Sequence, residues 1–210
     1  MGGLGPILIS PAAMGLLPAV VLHTVIFAYL AQRKNRSRTT WFLTGWMTCL
    51  LLLTLAQFIP RVIYSPVGGY IDWMGSILFA WMALFFGLGF VYYFPRPAFG
   101  REAMVALIVT ALTGVALCGL MILEATLTTK PPVYNFEDFW FGLAVEGNQL
   151  LPLASFNLFD ILHPLGQVWL LGVLVRKTIH LSRLEAHPLT HSFGWRQAVD
   201  ALWHPQGKDA

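Results

Sequence analysis

Charge is what this sequence has least of. Only 11% of its 210 residues are Asp, Glu, Lys or Arg, against about 25% in an ordinary soluble domain. So few charges cannot cover a water-facing surface of this size, which excludes a soluble globular domain. Polar alternation is missing too. The apolar stretches run unbroken for about 20 residues, the length that crosses a bilayer as a helix. That argues against a β-barrel, whose strands alternate apolar and polar positions. Cysteine is scarce: Cys49 and Cys118 both fall inside apolar runs. They give no disulfide framework and read as small packing residues.

Signature chemistry is absent as well. The chain has no HExxH, no CxxC, no Ser/His/Asp order, no Gly-rich phosphate loop and no internal repeat. The N-terminal MGGLGPILISP has no basic segment ahead of its apolar residues, so it does not read as a cleaved signal peptide. Pro6 stands where myristoylation requires Ser or Thr.

What is present is apolar: 57% hydrophobic residues and a mean hydropathy of +0.66. Five runs emerge, over residues 12–32, 41–60, 73–94, 103–123 and 155–177. The expected fold is therefore an all-α polytopic bundle of five transmembrane helices. It forms one membrane domain over residues 1–180, with a tail over 181–210.

The positive-inside rule orients it. Four basic residues follow the first run (Arg33, Lys34, Arg36, Arg38). Arg96 and Arg101 follow the third, and Arg176, Lys177, Arg183, Arg196 and Lys208 follow the fifth. Only Arg61 and Lys130 lie on the other side. Eleven against two places the N-terminus outside and the C-terminus in the cytoplasm of a bacterial inner membrane. The net charge of +3 is thus a topological address, with a secondary attraction for anionic lipid, and nucleic acid is not implied. Trp41, Tyr92 and Tyr93 mark one interface, and Tyr70 and Trp73 the other.

Two connections carry expectations of their own. The long outer one, from Glu124 to Ala154, crowds Tyr134, Phe136, Phe139, Trp140 and Phe141 together. It reads as a short interfacial helix: an aromatic anchor, a lid over an outward-facing pocket, or a docking surface for a partner. In the tail, Trp195, Val199, Leu202 and Trp203 recur at helical spacing, giving an amphipathic helix that lies on the inner leaflet or grips a cytoplasmic partner. His187 and His191 are four apart, but Pro188 between them weakens a metal-binding helix.

Ionisable groups inside a bilayer cost about 2.5–3.5 kcal/mol each on insertion scales and are usually retained for a reason. Here they are His23, Glu124, Asp160 and His163, with Gln57 and Arg61 at the end of the second run. Asn157, Asp160 and His163 are spaced three apart on one side of the fifth helix. Pro164 removes the N–H that would bond the carbonyl of Asp160. Arg61 is expected to pair with Asp160 or Glu124 if these faces meet. This set is the candidate ligand or proton site. His23 and His163 are the pair of imidazoles that a haem b would need, at matched depth on facing helices.

Small-residue faces at Gly87 and Gly89, and at Gly114, Cys118 and Gly119, permit close helix approach. Without a catalytic motif, the expected function is a non-catalytic accessory subunit of a larger bioenergetic membrane complex. Such a subunit supplies packing surface to other membrane subunits and binds lipid, with quinone, pigment or haem b as further candidates. One alternative is a sensor or receptor domain with an outward pocket at Asp160 and His163. Another is a small transporter or a haem b redox subunit.

Overall fold

The computed structural model describes residues 11–33, 37–62, 68–127 and 154–185. Among them are five helices and no strand: α1 (Pro11–Ala31), α2 (Arg38–Val62), α3 (Gly68–Tyr93), α4 (Gly100–Leu127) and α5 (Ala154–Glu185). All five are long and apolar enough to cross a membrane. The interfacial helices expected in the outer connection and the tail fall on residues 128–153 and 186–210, outside the described residues.

The helices overrun the apolar runs that announce them. Ser37 caps α2, its Oγ accepting the Thr40 N–H at 3.2 Å, which satisfies one of the free donors of the first turn. α4 begins at Gly100 and not at Ala103, taking Arg101 and Glu102 into its first turn. An acidic group is favoured there by the helix dipole. α4 also runs past Glu124 to Leu127, so Glu124 belongs to a helix and not to the connection. α5 is one continuous helix through Pro164 and across residue 180 to Glu185.

α3 is the hub. It packs against α2, α4 and α5, while α1 rests on α2. Its core face is a helical ladder of Trp73, Ile77, Trp81, Leu84, Leu88 and Tyr92, each buried, at intervals of three and four residues. Glycines bring the neighbours close. A Cβ on Gly75 would lie 2.5 Å from that of Ala56 on α2, and one on Gly114 of α4 would lie 2.6 Å from the Trp81 ring. Gly166 of α5 receives Leu84 in the same way. Lipid supplies no hydrophobic drive between helices, so such close packing holds them together. Trp81 adds a bond of its own, its Nε1–H donating to the Thr110 carbonyl at 2.7 Å.

α3 stops at Tyr93 because Pro95 and Pro97 bring no N–H groups to continue it. Phe99, in the left-handed conformation with φ 55°, turns the chain into α4. Its carbonyl then accepts the Ala103 N–H at 2.9 Å.

Candidate functional site

The residues singled out by sequence do not form one constellation. They separate into several contacts, most at the end of the bundle opposite the basic one. Gln57 on α2 donates to Ser76 Oγ at 3.4 Å, and Ser76 donates to Asp72 Oδ1 at 3.2 Å. Arg61 lies one turn beyond Gln57, and its Nη1 is 3.7 Å from Asp72 Oδ1. The expectation that Arg61 would pair with Asp160 or Glu124 is corrected here. α2 packs on α3 and not on α5, so the carboxylate in reach is Asp72. That group is 5% exposed, and Arg61 offsets its burial.

Glu124 joins α4 to α5. Its Oε1 accepts the Ser155 backbone N–H at 3.0 Å, and its Oε2 accepts the Ser155 hydroxyl. The carboxylate thus satisfies a free donor at the start of α5, where the dipole also favours negative charge. Ser155 is fully buried under it.

His163 turns toward α3. Its ring stacks on Phe159 with centroids 4.8 Å apart and sits 6.5 Å from the Trp81 ring. It also hydrogen-bonds to the backbone of Ala80. Asp160 and Asn157, about 60° and 120° around the helix from His163 at 100° per residue, are exposed. His23 is on α1, with a buried Nδ1 that has no hydrogen-bond partner among the described residues. α1 rests on α2, whereas α5 rests on α3 and α4. The two imidazoles are therefore not brought together.

The exposed side of α5 has an order that sequence reading missed. Asn157, Asp160, Pro164, Gln167, Leu171, Leu174 and Thr178 are all exposed. They alternate at intervals of three and four, the seam of a coiled coil. At 100° per residue they lie within an arc of about 100°. The carbonyl released by Pro164 belongs to this stripe, and so do the side-chain amides of Asn157 and Gln167. Gln167 lies ten residues inside the Asn157–Ser182 span, at a depth of about 15 Å.

The basic end holds a second network, also missed. Tyr92 Oη donates to Glu102 Oε1 at 2.8 Å and accepts the Trp169 Nε1–H at 3.2 Å. Arg176 donates to both Glu102 oxygens, and its guanidinium stands 4.2 Å over the Phe99 ring. Lys177, the next residue, points inward and is 2% exposed. Its Nζ donates to the carbonyls of Val91 and Tyr92 at 2.8 and 2.7 Å. These are last-turn carbonyls of α3: Pro95 brings no N–H to that of Val91, that of Tyr92 also accepts the Ala98 N–H at 3.2 Å, and a cation suits that end of the dipole. The signal for this network in the sequence is Pro95, four residues after Val91, which leaves a carbonyl free for a nearby cation.

Beside this network a groove of about 520 Å³ opens between α4 and α5, with α3 as its floor. Its walls are apolar apart from Thr110 and Thr113, whose hydroxyls bond carbonyls one turn back, and it ends at Arg101 and Glu102. Among the described residues no group of three or more His, Cys, Asp or Glu could hold a metal ion.

No protein-family model, curated protein or solved structure matches this chain.

Proposed function

We propose that the chain is a non-catalytic accessory subunit of a larger inner-membrane complex, with its basic end in the cytoplasm and docked to a neighbouring subunit through α5. The observation that carries this reading is the exposed stripe from Asn157 to Thr178. Polar side chains within membrane spans almost always face protein or a water-filled cavity. An amide without a partner in an apolar medium costs about 2 kcal/mol or more. Asp160 lies near the end of the span, where water and headgroups reach it. Gln167, at about 15 Å depth, has neither. A helix from another subunit laid along the seam supplies hydrogen-bond partners for Gln167, and its side chains fill the spaces between the exposed leucines.

The rest of the molecule is compatible with a passive part. The charged groups at the two ends of the bundle join helices: Asp72 to Arg61, Glu124 to Ser155, Glu102 to Arg176, and Lys177 to the end of α3.

Purification in a mild detergent, followed by mass spectrometry of intact assemblies, tests the proposal. The expected result is an assembly containing other polypeptides, whose identities name the complex. A chain that remains a 23.4 kDa monomer in native nanodiscs contradicts it.

A further inference from the structure

We infer that the groove between α4 and α5 is a binding site for one acyl chain of an anionic phospholipid, with the headgroup at Arg101. Three features converge on this occupant. First, the groove is open to the bilayer and its walls are apolar side chains, chiefly Leu84, Leu88, Val105, Val109 and Leu165. Its volume of about 520 Å³ is that of a small-ligand site. Second, its length fits. From Arg101 to Thr113 the α4 wall rises about 18 Å at 1.5 Å per residue. One leaflet of a bilayer core is about 15 Å deep. Third, the charge is complementary and lies at one end only. Arg101 is exposed at the mouth and makes no ion pair among the described residues. Arg176 stands on the facing helix end and offsets the single carboxylate of Glu102.

Glu102 does not repel the headgroup as a free acid would. It is engaged by Tyr92 and by both contacts from Arg176, which leaves the Arg101 cation to meet a phosphate. The α5 wall of the groove, from Leu162 to Trp169, lies about 180° around that helix from the polar stripe, at 100° per residue. The lipid and the neighbouring subunit therefore occupy opposite sides of α5. Loss of one leaves the other in place.

The test is native mass spectrometry of the full chain, with whatever subunits accompany it, released from nanodiscs of equimolar phosphatidylglycerol and phosphatidylcholine with matched oleoyl chains. The protein is expected to retain one phosphatidylglycerol in preference to phosphatidylcholine. R101Q should lower that preference about fivefold, the factor for one basic residue beside an anionic membrane surface. V105W fills the groove without changing charge and should abolish retention. V115W, on an exposed part of α4 outside the groove, should leave it unchanged and serves as the folding control. Equal retention of the two lipids overturns the inference, as does indifference to R101Q or V105W. It also fails if V115W removes as much lipid as V105W, or if a photo-cross-linker at Val105 captures a polypeptide.

Discussion

α3 and α5 look alike as strings and are opposites in the fold. Their spans have mean hydropathies of 2.0 and 1.6, yet 56% of the α3 window is buried inside the bundle and 6% of the α5 window. In water such a difference would be written in the hydrophobic pattern, because a surface helix must be polar on one side. In a bilayer both surroundings are apolar, so hydropathy does not separate hub from rim. Residue size and the placement of polar atoms do. α3 meets its neighbours through glycine and alanine contacts such as Gly75 with Ala56, and its one deeply buried acid, Asp72, has Arg61 beside it. α5 carries its amides outward.

Matched substitutions break or sharpen that contrast. The largest effect is expected from Gly75→Leu on α3, where a Cβ already approaches Ala56 to 2.5 Å. Overpacking should lower stability by about 1–3 kcal/mol, read as a fall in the thermal or SDS unfolding midpoint. Gly172→Leu on α5 meets nothing within 4 Å and should leave the isolated chain as stable or stabilise it slightly, because Leu is the better helix former. Equal losses at the two sites would erase the distinction. Next in size is Lys177→Met, which keeps the stem and removes two bonds to α3 carbonyls. A cost of about 2 kcal/mol is expected, as for hydrogen bonds from a charged group. Arg176→Met, with half of its side chain exposed, should cost less in the same assay. Trp81→Phe removes the bond to Thr110 and should cost about 0.6 kcal/mol, typical of a side-chain hydrogen bond between membrane helices. The smallest effect on the isolated chain belongs to Gln167→Leu, within about 0.5 kcal/mol. The same variant should reduce recovery of the assembled complex in a pull-down.

Much of the architecture was legible in the sequence. Runs of about 20 apolar residues announce spans whatever their neighbours do. Gly87, Gly89 and Gly114 announced close approaches. The site was less legible, and the reason is rotational. Spacing places Asn157, Asp160 and His163 on one side of a helix, but the direction of that side is set by tertiary packing. With Leu170, Val173 and Lys177 directed to α3, His163 swings to the bundle and Asp160 to the rim. Arg61 found Asp72 because α2 neighbours α3, an adjacency that depth along the membrane does not encode. Lys177 resembled one more basic residue after a span. The Val91 carbonyl, which Pro95 leaves without a helical donor, and that of Tyr92 beside it draw the ammonium inward.

The central claim is that the α5 stripe faces another polypeptide. Its most direct test is site-specific photo-cross-linking in intact membranes, with a benzoylphenylalanine at Leu171 on the stripe and, separately, at Leu112 on the exposed side of α4. Both positions are exposed, at 57% and 65%. The account predicts a discrete protein adduct from position 171 and only uncross-linked chain from position 112. Uncross-linked chain from both positions would contradict it.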